Sequence, residues 1–273
     1  MLIPRILTAL ALLAILIPIV TIGPAWLWGL TSLLMLGIAY AEWARLVSRS
    51  NPGPVEWFAL LLGGSAVVAL APTGDLAQPL VIAICFLSLL FWVVEGPRRL
   101  RRHQAASGGR VLAAALLAAC WLALYDLRGQ GAVVLVSAMA IVWVADVAAY
   151  FVGRAIGRHK LAPSISPGKS WEGAIAGMAA VALAGLATVP FEAMSSALPA
   201  RLVGSTGWVG AAAVLALLAA LSIVGDLFES LLKRQAGVKD SGNVLPGHGG
   251  VLDRIDALIP TMPAVALIAE LLG

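Results

Sequence analysis

Charge is scarce in this sequence. Asp, Glu, Lys and Arg make up 12% of its 273 residues, against roughly a quarter in soluble domains. Histidine occurs three times and cysteine twice. Cys85 and Cys120 both lie inside apolar runs. That placement excludes a disulfide framework or a zinc-binding spacing and marks the two as small core residues. Hydrophobic residues reach 61%. A soluble fold of this length could not hide so much apolar surface, so lipid is the expected solvent for most of the chain. The net charge of +4 does not point to nucleic acid, because the basic residues are confined to the ends of apolar segments.

What the sequence does have is long hydrophobic runs. Nine can be read, at roughly 5–22, 25–47, 57–71, 79–95, 111–126, 131–152, 173–190, 207–228 and 256–272. The first is read as a retained span rather than a signal peptide, since no small-x-small cleavage site precedes the next run. The expected fold is an all-α polytopic membrane protein of about nine transmembrane helices, with its reactive face on the cytoplasmic side. Basic residues sort between the two sides. Arg5, Arg45, Arg49, Arg98, Arg99, Arg101, Arg102, Arg110, Arg154, Arg158, Lys160, Lys169, Lys233, Arg234, Lys239 and Arg254 fall on one side, and only Arg128 and Arg201 on the other. The positive-inside rule makes the first side cytoplasmic. The N-terminus is then cytoplasmic and the C-terminus opposite. The basic run "EGPRRLRRHQAASGGR" (95–110) reads as a topology signal that hugs anionic lipid.

The remaining charge is concentrated in "KRQAGVKDSGNVLPGHGGVLDRID" (233–256). Just upstream, Ser222, Asp226, Glu229 or Ser230, and Lys233 share one face of a helix. A carboxylate at lipid depth normally faces a cavity or a partner. Asp253 and Asp256 stand three residues apart, so a helix there would put them on one face. Hard oxygen ligands of this kind suit Mg²⁺, which leaves room for substrate phosphates. Gly242, Gly247, Gly249 and Gly250 allow close approach of backbone N–H groups to an anion, beside Lys233, Arg234, Lys239, Ser241, Asn243 and His248. The competing reading is a set of helix-end ion pairs among Asp226, Lys233, Asp253 and Arg254.

A second polar stretch is "GRAIGRHKLAPSISPGKSWEG" (153–173). Its "PGKS" (167–170) mimics the tail of a phosphate-binding loop, but Pro163 stands where that motif needs Gly, and no strand is expected there. Ser164, Ser166, Lys169 and Ser170 remain candidate phosphate donors. Glu172 either caps the following helix or holds a basic neighbour. Asp146 is either a further metal or substrate carboxylate or the partner of a nearby arginine such as Arg154.

Taken together, these residues resemble the signature of the phosphatidate cytidylyltransferases. That signature is present as Ser230, Lys233-Arg234, Lys239-Asp240, His248-Gly249-Gly250 and Asp253-Arg254-Ile255-Asp256. The stretch 145–173 is similar to the family's second shared region, with Val147 where many members carry Thr and Gly168-Lys169 where many carry two basic residues. The resemblance covers about 145–260 and implies transfer of cytidylyl from CTP to phosphatidic acid, giving CDP-diacylglycerol and pyrophosphate. It implies Mg²⁺, with a second cation as a further candidate. Implied catalytic residues are Lys233, Asp226, Asp253 and Asp256. Asp226, Asp253 and Asp256 are the implied metal ligands, joined by Asp146 as a candidate. Implied substrate contacts are Arg234, Lys239, Asp240, His248, Gly249, Gly250, Arg254, Ser166, Lys169 and Glu172. Residues 1–130 are expected to form a scaffold, with dimer contacts if the chain pairs as a homodimer, and 131–273 the catalytic region. The location is expected to be a bacterial inner membrane, where membrane lipids surround the chain. Two other classes share some of these features: an ion-coupled transporter using Asp146, Asp226 and Glu229, and a CTP-dependent polyprenol kinase. A transporter of that kind would show inverted repeats, and the charges here gather in the second half.

Overall fold

A computed structural model describes residues 14–70, 78–245, 247 and 249–272. It is almost entirely helical. Residues 14–21 form the end of α1, followed by α2 (Ala25–Ser48), α3 (Pro54–Leu70) and α4 (Gln78–Leu90). A π-helical turn, Phe91–Glu95, carries α4 without a break into α5 (Gly96–Arg102). Then come α6 (Gly109–Gln130), α7 (Ala132–Ile156), a hairpin of β1 (Lys160–Ala162) and β2 (Ser166–Ser170), α8 (Trp171–Thr188), α9 (Leu198–Ala236), α10 (Leu252–Ile255) and α11 (Leu258–Leu272).

Every apolar run read from the sequence coincides with a helix, although most of the first, 5–22, lies outside the described residues. Seven helical stretches are long and apolar enough to cross a bilayer: Ala25–Ser48, Gln78–Arg102, Gly109–Gln130, Ala132–Ile156, Trp171–Thr188, Leu198–Ala236 and Leu252–Leu272. The chain is therefore an integral, multi-pass, all-α membrane protein. The count of nine is not reached among the described residues, because α3, at 17 residues, is shorter than these seven and most of the first run lies outside the described residues. The run 207–228 is part of a 39-residue helix that bends at Gly207, whose φ of 71° no ordinary helical residue adopts.

Without water to drive helices together, packing in lipid depends on close backbone approach. α7 and α8 meet through small residues. A Cβ at Gly173 would lie 2.7 Å from the Ala149 carbonyl oxygen, and one at Gly177 would lie 2.8 Å from that of Ala145. Aromatic side chains supply the other fastening. Phe228 of α9 sits against Trp92 at 5.2 Å, edge to face, and against Trp43 of α2 and Phe91 at 6.0 Å. Trp43, Trp92 and Phe228 are all buried. Cys85 and Cys120 are also buried, as their apolar settings implied.

Side-chain contacts collect the polar ends onto two faces. On one, Glu42 of α2 reaches Ser241, His103 reaches Ser164 in the hairpin, and Arg234 reaches the Ile165 carbonyl. On the other, Arg201 bonds Gln130 at 3.0 Å and the Ala269 carbonyl at 2.6 Å, and Arg128 bonds the Gly23 carbonyl at 2.6 Å. Arg128 and Arg201, the two basic residues that the sequence sets apart, are thus tied to other helix ends than those that carry His103 and Arg234.

Two local readings change. "PGKS" does lie on a strand, β2, that runs directly into α8. It is still not a nucleotide-binding loop of the strand–loop–helix type. Ser166 and Ser170 pair with Ala162 and Lys160 of β1, so the strand runs into α8 with no glycine-rich loop between them, and Pro163 keeps its place. The run 95–110, expected to be a topology signal, is helical through Arg102 and docks on the site region. His103 Nε2 lies 3.0 Å from Ser164 Oγ, and the Ala106 amide donates to Gln235 at 2.8 Å.

Candidate active site

The last turns of α9 present Asp226, Glu229, Ser230 and Lys233 along one stripe, as the helical spacing required. Two carboxylate groups form around it, and they differ in kind.

The first is closed. Lys233 Nζ lies 2.5 Å from Glu229 Oε2 and 2.6 Å from Asp253 Oδ1. The other oxygen of Asp253, Oδ2, accepts from the Ser241 amide, the Ser241 hydroxyl and the Gly250 amide, each at 2.9 Å. Both oxygens of Asp253 are thereby engaged. Glu229 is only 3% exposed, and its Oε1 accepts no hydrogen bond among the described residues. A buried lysine between two carboxylates is held by charge attraction that offsets the cost of desolvation, and removing the lysine would leave two uncompensated carboxylates.

The second group is open. Lys169, projecting from β2, pairs with Asp226, and Ser230 Oγ donates to Asp226 Oδ1 at 3.3 Å. Asp146 of α7 and Asp256, at the end of α10, both interact electrostatically with Asp226 and with Lys169. Three carboxylates therefore share one ammonium. Asp256 is locally fixed, its Oδ1 accepting from the Ala257 amide at 2.8 Å. Gly225 makes this approach possible, since a Cβ there would come within 2.5 Å of the Asp256 carbonyl oxygen. Asp146 faces outward and is exposed. The alternative pairing of Asp146 with Arg154 does not form; Arg154 donates to the Tyr150 hydroxyl at 3.0 Å.

The other sequence-derived candidates lie around these groups. Ser166 starts β2, and Arg234, exposed, donates to the Ile165 carbonyl at 3.4 Å, tying α9 to the hairpin. Lys239, Asp240 and Arg254 are exposed. Gly249 closes a tight turn by accepting from the Leu245 amide at 3.0 Å. The Gly250 amide, expected to face an anion, is taken by Asp253. Glu172 holds a basic neighbour, His159, at 2.6 Å, while the cap of α8 is Ser170, whose hydroxyl accepts from the Gly173 amide at 3.2 Å. His248 lies outside the described residues.

One participant was missed in the sequence. Glu42 of α2 is fully buried and accepts hydrogen bonds from the Leu252 amide at 2.8 Å and the Val251 amide at 3.2 Å, and Ser241 Oγ lies 3.2 Å away. The signal was available: a carboxylate inside the apolar helix Ala25–Ser48 must have a partner. Its partner lay about 200 residues away and could not be named.

Among the described residues, no three His, Cys, Asp or Glu side chains form a protein-only metal cage. Mg²⁺ does not need one, because it is bound through one or two carboxylates and substrate phosphates. The excess of carboxylate over ammonium around Asp226 fits such a divalent ion in donor chemistry and charge.

Comparison with known proteins identifies the chain's relatives. The chain is 37% identical to a phosphatidate cytidylyltransferase of Pseudomonas aeruginosa, over 97% of this chain and 95% of that one. It is 38% identical to one from Brucella suis, over 95% and 90%. A Staphylococcus saprophyticus enzyme of the same name is 32% identical over 97% of each. Residues 3–272 match the cytidylyltransferase family, and with these relatives covering nearly its whole length, this chain belongs to that family.

Proposed function

We propose that this chain transfers the cytidylyl group of CTP to phosphatidic acid, releasing pyrophosphate and leaving CDP-diacylglycerol in the membrane for phospholipid synthesis. The observation that carries the reading is the meeting of the two motif segments: Lys169 of 153–173 pairs with Asp226 at the head of 226–256. The relatives' shared name supplies the substrate class.

The chemistry asks little covalent work of the protein. The phosphate of phosphatidic acid is already a nucleophile. It has to be aligned with the α-phosphorus of CTP while negative charge builds on the leaving pyrophosphate. Lys169, Lys233, Arg234, Lys239 and Arg254 supply positive charge for that purpose. Ser166, Asp240, Gly249, Gly250 and Glu172 line or shape the surrounding loops, and His248, outside the described residues, is assigned to substrate by the motif. Asp226 and Asp256 would hold Mg²⁺ with Asp146 beside them. Asp253, a further ligand by the resemblance, is engaged by Lys233, Ser241 and Gly250 and is assigned here to ordering the loop beside the ion. Bound there, the ion would supply positive charge against the phosphates.

The same reading gives an orientation. The basic-rich face is cytoplasmic by the positive-inside rule. The first apolar run and α3 complete nine crossings, so the N-terminus is cytoplasmic and the C-terminus opposite, in a bacterial inner membrane. CTP then arrives from the cytosol and the acyl chains never leave the bilayer.

The test is direct. Purified protein is incubated with Mg²⁺, phosphatidic acid and CTP labelled at the α-phosphate. Label in the lipid is the expected result. Label in CDP would instead mark a kinase, and no turnover would remove the assignment.

A further inference from the structure

Glu42 is distant in sequence from both motif segments, yet the loop between α9 and α10 is anchored to it. Its side chain is 0% exposed. A carboxylate so placed is tolerable only when donors converge on it. Here the Val251 and Leu252 amides donate at 3.2 and 2.8 Å, at the point where the loop turns into α10. The Ser241 hydroxyl lies between two carboxylates, 3.2 Å from Glu42 Oε2 and 2.9 Å from Asp253 Oδ2. It has one hydrogen to give, and the shorter contact is to Asp253. Ser241 and Gly250, near the two ends of the loop, therefore both close on Asp253, and the Val251 and Leu252 amides tie that end to Glu42. Two glycines record how tightly. A Cβ at Gly250 would meet Ser241 Oγ and come within 2.5 Å of Glu42 Oε2, and one at Gly242 would collide with Glu42 Oε1. Trp43, the next residue, is locked in the aromatic cluster with Phe228, so the anchor stands on a rigid part of the bundle.

We propose that Glu42 is a positioning residue for cytidylyl transfer: it pins residues 241–252 to α2 so that Ser241 and Gly250 hold Asp253, which in turn holds Lys233. The proposal rests on the functional reading above for its kinetic consequence. It assigns the N-terminal half of the chain a part in the site beyond that of a scaffold.

The experiment uses the full chain in detergent or in vesicles, with two variants. Glu42→Gln keeps size but turns an amide N–H₂ toward backbone donors. Gly242→Ala keeps the carboxylate and wedges the loop away from it. Both are expected to lower kcat on the order of 10- to 100-fold, the usual scale for partners that orient functional carboxylates. KM for phosphatidic acid is expected to stay within about threefold, as a defect confined to loop geometry leaves lipid binding in place. Amide hydrogen exchange, read without substrate, should accelerate in 241–252 while the transmembrane helices keep their protection. Wild-type kcat and loop protection in both variants would overturn the proposal. So would loss of protection throughout the helices, which would make Glu42 a folding residue only. Absence of transfer by the wild-type protein would overturn the functional reading, and with it the kinetic claim. The exchange result would still decide whether the tether exists.

Discussion

The two carboxylate groups at the end of α9 are neighbours built on opposite principles. Around Lys233, two carboxylates, one ammonium and three further hydrogen bonds leave Asp253 saturated. Around Asp226, among the described residues, three carboxylates share Lys169. Desolvated and satisfied charge holds structure in place. Charge left in excess is ready for a ligand. The comparison teaches that two acidic residues of one Asp-Arg-Ile-Asp motif perform different work: Asp253 orders the loop, and Asp256 belongs to the open group.

The largest expected effect tests the open group. Asp226→Asn is expected to cut cytidylyl transfer by about 10³-fold while the thermal midpoint in detergent moves little. Chelation of Mg²⁺ should silence the wild-type protein reversibly. A destabilised Asp226→Asn protein would erase the contrast between the groups.

The closed group should respond in the opposite way. Lys233→Met strands Glu229 and Asp253, with an expected cost of about 3–5 kcal/mol, measured by denaturant unfolding in detergent. Adding Glu229→Gln to it should restore part of that stability. Asp253→Asn is expected to lose stability as well as activity, which separates it from Asp226→Asn.

A smaller effect tests the frame that brings the groups together. Gly177→Val forces α8 away from the Ala145 carbonyl, at a cost of about 1–3 kcal/mol, with activity falling because Lys169 shifts with the helix it precedes. Normal stability in this variant would show that the α7–α8 contact is looser than drawn.

The smallest effect is expected at the far end. Arg201→Gln loses the bonds to Gln130 and Ala269, for about 1 kcal/mol and no change in turnover. A strong loss of transfer there would mean that the two ends are coupled.

Much of the site was legible because its signals are local. The stripe Asp226, Glu229, Ser230, Lys233 follows from helical spacing alone. Asp146 was legible as a carboxylate at lipid depth, though not its neighbours. The hairpin was missed because "KLA" and "SPGKS" have no strand-like alternation; their ladder is stabilised by the elements on either side. The basic run 95–110 was read as a topology signal, and its docking through His103 and Gln235 depends on a helix that continues past the membrane boundary.

By itself the sequence determined the solvent, the positions of the helices, the sorting of basic residues between two sides and the family of the motif. Each of these rests on hydropathy, charge or spacing within a short window. Only the tertiary structure decided which carboxylate meets which cation. That choice depends on which helices lie side by side, and here small residues between α7 and α8 and an aromatic cluster joining α2, the π-helical turn after α4, and α9 set it. Glu42 and Ser241, separated by 199 positions, meet for that reason. No periodicity records such a contact, because the free energy that selects it comes from close packing between helices.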